Sequence, residues 1–128
     1  MIGEQVQIDP LPTLLFREIM NLRSQQIHEW AKRKGFWPED RPWNFGEKIA
    51  LIHSELSEAL EKQRAVDLDM PDPPDEHCPK FGGIAIELAD AVIRIMDLAG
   101  AMQINLGDAI EAKMAFNENR PHKHGKAY

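Results

Sequence analysis

Apolar residues recur at helical spacing along most of the chain. From about Thr13 to Lys34 they fall at Leu14, Leu15, Ile19, Leu22, Ile27 and Trp30, a period that predicts a first helix stopped by Gly35. Ile49, Ile52, Leu56, Ala59 and Leu60 mark a second, running from a cap at Asn44 to about Val66. Residues 81–101, FGGIAIELADAVIRIMDLAGA, are apolar or glycine everywhere except Glu87, Asp90, Arg94 and Asp97, and predict a third helix ending near Gly100. Asn105 is placed to cap a fourth, from Leu106 to about Asn119, which Pro121 ends. No two-residue alternation marks a strand and no segment repeats. The pattern predicts an all-α, four-helix bundle-like fold in a single domain over residues 1–128. Residues 1–12 read as a loose lead-in, 36–43 as a proline-interrupted aromatic turn, 67–80 as an exposed, proline-rich acidic crossover loop, and 121–128 as a tail.

The four charged residues of the third helix are spaced three, four and three apart. At about 100° per residue they form one stripe about 80° wide on a helix that is otherwise greasy all round. Such a helix is expected to be buried, and buried carboxylates are costly unless paired, hydrogen-bonded or bound to a metal.

The second helix adds Glu55 and Glu58 in an ExxE pair, beside the ExxD pair of Glu87 and Asp90. Residues three apart on a helix lie about 5 to 6 Å apart at Cβ, so each pair can aim two carboxylates at one point. If the two helices pack antiparallel, Glu55 comes opposite Asp90 and Glu58 opposite Glu87. Four hard oxygen donors around one space suit Mg²⁺, with Mn²⁺ as a substitute. Each pair alone has a plainer reading. Glu55 and Glu58 share a face with Glu47, Lys48, Ser54, Glu61 and Lys62, the composition of a solvated surface. On the third helix Arg94 could pair with Asp90 and Asp97 in a buried ion network. The coincidence of two acid pairs on neighbouring helices favours the metal. Di-iron bundles require ExxH pairs; the residues three before His28, His53, His77, His122 and His124 are Gln25, Ala50, Pro74, Asn119 and Pro121, so a redox iron site is not expected.

Composition narrows the partners. A formal charge of -6 and a pI near 5.3 argue against binding nucleic acid polymers. The single Cys78 leaves no internal disulfide and no thiolate zinc cluster, which suits a cytoplasmic location. The N-terminus lacks the basic and apolar segments of a signal peptide, and the charges in 81–101 argue against a membrane span. Within this acidic chain Lys113, Asn117 and Arg120 recur at four and three residues, on one helical face. They read either as a local phosphate-binding patch or as a solvated basic helix end. Aromatics precede the acid-bearing helices at Trp30, Phe36, Trp37 and Trp43; ordinary core is their commonest use.

With ExxE, then ExxD, then KxxxNxxRPxxHGK, the chain resembles the MazG-like members of the all-α nucleoside triphosphate pyrophosphohydrolase superfamily. The resemblance covers roughly residues 44–126 and is carried by EKIALIHSELSEALEKQR, IAIELADAVIRIMD and KMAFNENRPHKHGK. It implies Mg²⁺-dependent hydrolysis of a nucleoside triphosphate between the α and β phosphates, giving a monophosphate and pyrophosphate, in a house-cleaning role. Carried over by position, Glu55, Glu58, Glu87 and Asp90 are the implied ligands, with Glu55 or Glu58 as the base. Lys113, Asn117, Arg120 and Lys126 are the implied phosphate contacts. Trp30, with Gln25 and His28, is the expected base contact. A homodimer or homotetramer is implied, and the wide apolar surface of the third helix independently suggests subunit packing. Two other readings stand beside it: a relative acting on a different phosphoanhydride, such as a phosphoribosyl-ATP pyrophosphohydrolase, and a non-enzymatic helical adaptor or metal-binding protein.

Overall fold

The computed structural model describes residues 10–67 and 69–121, with side chains from Leu15 onward. The side chain of Leu14, and the tail residues His122, His124 and Lys126, lie outside the described residues. Among the described residues the chain forms four helices, α1 (Pro10–Arg33), α2 (Phe45–Arg64), α3 (Gly83–Ala101) and α4 (Leu106–Glu118), and no strand beyond an isolated bridge between Pro74 and Gly82. α1 starts earlier than the apolar period predicts because Pro10 and Pro12 fall in its first turn, where a missing N–H costs nothing. No described helix is long and apolar enough to cross a membrane.

The helix ends show how far local sequence goes. α1 closes in a Schellman motif: Phe36 N–H donates to Ala31 O and Gly35 N–H to Lys32 O, with Gly35 at φ 83°. α2 is capped by its own sequence, Asn44 Oδ1 accepting from Glu47 N–H at 3.0 Å. α3 and α4 are capped from elsewhere. Asp72 Oδ2 accepts from the N–H groups of Ile84 and Ala85, 12 and 13 residues on, and a Cβ on Gly82 would strike that carboxyl group. Asn105 sits at the start of α4 but makes no cap bond; Asn21 of α1 does the work, accepting from Gly107 N–H at 2.8 Å.

The acidic loop is accordingly not simply exposed. Asp75 is buried, accepting from the N–H groups of His77 and Cys78, and its own N–H donates to Phe81 O. Two of the loop's acids are structural acceptors that hold the entrance to α3.

α3 lies between α1 and α2, and α4 packs on α1. Lys62 beside Gly83 and Glu55 bonded to Arg94 set α2 antiparallel to α3. α1 approaches α3 closely where Gly100 meets Ser24 and His28; a Cβ there would lie 2.5 Å from Ser24 O. Gly100 is thus a packing residue inside α3, and the helix ends one residue later in a second Schellman motif with Gln103 at φ 55°.

The buried apolar set is small-chained: Ala31, Ile52, Ala59, Ala91, Met96, Leu98 and Ala99. The helical periods are real, but much of the apolar face they mark points outward in a single protomer. Leu15, Ile19 and Leu22 of α1, Leu56 and Leu60 of α2, and Leu88, Val92 and Ile95 of α3 are all exposed. α3 is therefore covered on two sides only, because a string of pairwise contacts leaves it no third neighbour.

Candidate metal and ligand site

α2 and α3 bring their acids together along the antiparallel seam. Glu55, Glu58 and Glu87 can each offer one oxygen within 4.8 Å of the others. Glu55 and Glu87 are buried, whereas Glu58 stands at the exposed edge. Asp90, the fourth expected donor, is outside this trio. It lines the adjoining cavity with Glu55, close enough for their charges to interact.

The trio crowds like charges in a partly buried place. Burial pushes the Glu87 carboxyl up to about 7, helped by a proton shared with Glu58 and by the charges of Glu58, Glu55 and Asp90. Burial also raises Asp90, with the Glu55 charge adding to it and Arg94 opposing it. Oε2 of Glu87 is buried without a hydrogen-bond partner. A buried carboxylate oxygen left unmatched is expensive, and a divalent cation held by oxygen donors would satisfy it. The donor set, three close carboxylates with a fourth adjacent, fits Mg²⁺ or Mn²⁺.

Arg94 does not bridge Asp90 and Asp97 within its own helix. Its Nε donates across the seam to Glu55 Oε1 at 2.6 Å. Asp97 is claimed from α1 and the aromatic turn: His28 Nδ1 lies 2.9 Å from Oδ1, and Trp37 Nε1 donates to both oxygens at 3.0 and 2.9 Å. The imidazole and indole meet edge to face at 4.9 Å. The charged stripe thus divides into an acid cluster at Glu87 and a closed hydrogen-bonded group at Asp97, with Arg94 between them.

Beside the cluster lies a cavity of about 400 Å³ walled by Trp30, Phe36 and Trp43, with Glu55, Asp90 and Arg94 on its lining. These three aromatics are not core: Trp30, Phe36 and Trp43 are all exposed in part. Trp30 and Phe36 lie 6.0 Å apart at a shallow angle, and Trp43 packs edge-on to Trp37. Lys48 fixes the turn, donating to Phe36 O at 3.0 Å while its ammonium sits over the Trp37 ring. Of the three expected base contacts the structure brings Trp30 alone to this cavity. His28 is spent on Asp97, and Gln25 is exposed on α1 away from the lining. Trp43, Phe36 and Asn44 are among the lining residues that sequence did not single out for this role. Their signal was the aromatic turn running directly into the α2 cap.

Lys113, Asn117 and Arg120 share a face of α4, but the structure does not bring them to the acids within one protomer. Lys113 and Arg120 both sit over the Phe116 ring, and Asn117 Oδ1 is buried without a partner. None of the three lines the cavity. The reason is topological: the helices pack in the order α2, α3, α1, α4, so α4 lies at the end farthest from α2.

No protein-family model, curated protein or solved structure matches the chain.

Proposed function

We propose that the protein is a Mg²⁺-dependent, MazG-like nucleoside triphosphate pyrophosphohydrolase that cleaves (d)NTPs between the α and β phosphates in nucleotide-pool house-cleaning. One observation carries the reading: the buried, unpartnered Oε2 of Glu87 within a carboxylate trio. Glu55, Glu58 and Glu87 would hold the ion, with Asp90 completing the set from the cavity side. When bound, Mg²⁺ neutralises phosphate charge and lowers the pKa of a coordinated water.

The chain's own residues divide the remaining work. Trp30, Phe36 and Trp43 offer flat apolar faces against which a nucleobase can stack, keeping water from that side of the ligand. Glu58 is better suited than Glu55 to take a proton from water, because it is at the open edge while Glu55 is tied to Arg94.

The cationic face of α4 enters this scheme through assembly. A homodimer or homotetramer would cover the exposed leucines and valine of α2 and α3, and a second copy is the source from which Lys113, Asn117 and Arg120 could reach substrate phosphates. The test is a panel of canonical and modified triphosphates, assayed for pyrophosphate against single phosphate release with and without Mg²⁺. Metal-dependent pyrophosphate release supports the reading; a folded protein inactive on the whole panel rejects it in favour of a binding role. Light scattering of the purified chain tests the assembly.

A further inference from the structure

Arg94 sits on the border between the acid trio and the aromatic cavity, and its situation is unusual. It is half-buried, and among the described residues its ion pair is with Glu55, an acid of the trio. Asp97, the carboxylate three residues on, is already held by His28 and Trp37. Should Glu55 turn to a divalent cation, the Arg94 guanidinium would lose its ion pair at the cavity wall and keep only the charge of Asp90, itself an expected cation ligand, a costly state for a partly buried charge.

We propose that Arg94 is a resident counter-ion: it holds Glu55 while the site lacks a divalent cation, releases it when the cation arrives, and then offers its freed guanidinium to a phosphate group of the ligand in the aromatic cavity. The proposal rests on the reading that the trio binds a divalent cation. Its consequence is that metal and anion bind in mutual support, since each removes the charge left by the other. A guanidinium presents several N–H donors in a planar fork, which suits a phosphate.

Two physical effects oppose each other here, and their sizes differ. A residue that merely orients a metal ligand weakens metal binding when it is removed, by about 10- to 100-fold. A competing cation does the reverse. Even at the dielectric constant of water, charges of +1 and +2 roughly 6 Å apart repel enough to alter a binding constant by about tenfold. The sign of the change in Arg94→Met therefore separates the two roles.

Mn²⁺ binding to the full chain, followed by electron paramagnetic resonance, is expected to tighten at least about tenfold in Arg94→Met and to stay near the original value in Arg94→Lys. Equal or weaker binding in Arg94→Met overturns the proposal. Failure of the unaltered protein to bind Mn²⁺ in a Glu87-dependent manner instead overturns the metal reading beneath it, and the proposal with it. The unaltered protein supplies a check that needs no variant to fold. In ¹⁵N spectra the Arg94 Nε–H resonance, assigned by its loss in Arg94→Lys, should shift as Mg²⁺ is added and shift again when inorganic phosphate follows. A resonance unmoved by saturating Mg²⁺ overturns the exchange of partners. Phosphate binding that is as strong without metal as with it overturns the coupling.

Discussion

Glu87 and Asp97 are acids on one stripe of one helix, ten residues apart, yet they live opposite lives. Asp97 has both oxygens occupied, by an imidazole and an indole reaching over from α1 and the aromatic turn. Glu87 faces other carboxylates, keeps one buried oxygen without a partner, and is pushed up to about 7 by burial and by those neighbours. A buried carboxylate with its partners in place is part of the scaffold, whereas one crowded by like charges favours taking up a proton or a cation. Identity and burial are similar in the two cases; what differs is the company.

The sharpest way to break that contrast is to neutralise each acid in turn. Glu87→Gln keeps the shape and removes the charge, so pyrophosphate release should fall at least about a hundredfold while the metal-free protein melts at the same or a higher temperature, as repulsion is relieved. Unchanged turnover in a folded variant would remove Glu87 from the site. Asp97→Ala should do the reverse. It strands the Trp37 and His28 N–H groups in a half-buried place and should cost about 3 kcal/mol in denaturant unfolding; a loss below about 0.5 kcal/mol would mean the group is not structural.

Gly100 tests the same scaffold from behind. A methyl there would lie 2.8 Å from His28 Cβ and closer still to the α1 backbone, so Gly100→Ala should cost about 1–3 kcal/mol by prising α1 from α3. A neutral effect in thermal melts would show that the helices part without loss.

Acidity distinguishes the two kinds of carboxylate more gently. Because the folded state raises Glu87 above its ordinary value, the folded protein binds the extra proton between that value and about 7. Metal-free stability should therefore decline as pH rises through that window, and saturating Mg²⁺ should flatten the decline. Asp75 behaves oppositely: backbone N–H donors from Cys78 and His77 hold it below the usual aspartate range, with burial opposing them. Its contribution is present above the ordinary aspartate value and is lost as pH falls below it. Urea titrations across pH 3 to 8 would check both slopes. The smallest effect is expected at the end of the same helix, where Gln103 holds a left-handed conformation that Gly35 occupies at the end of α1. Gln103→Gly should stabilise by about 1 kcal/mol, measurable as a shift in urea midpoint.

Four helices, the Asn44 cap and the spacing of both acid pairs were legible in the sequence because each depends on residues within a turn or two of one another. The apolar periods located the helices but misjudged what they bury: Leu56, Leu60, Leu88 and Val92 are exposed in the protomer, since period marks a face and not the neighbour that covers it. The caps of α3 and α4 were illegible for a related reason, as Asp72 and Asn21 act from 12 and 86 residues away.

The site follows the same division. Glu55, Glu58 and Glu87 could be named from spacing alone, and their convergence needs only two antiparallel helices. Which carboxylate Arg94 would take was decided in three dimensions, because Glu55 across the seam offered better geometry than Asp90 or Asp97 along the helix. His28 leaves the expected base contacts because it shares Asp97 with Trp37, and the cations of α4 lie away from the acids because that helix packs on α1. Local order is written in neighbouring residues, where a few dihedral angles bring groups into contact. The partner of a buried charge is chosen among distant groups by small differences in distance and desolvation, which exist only once the chain has folded.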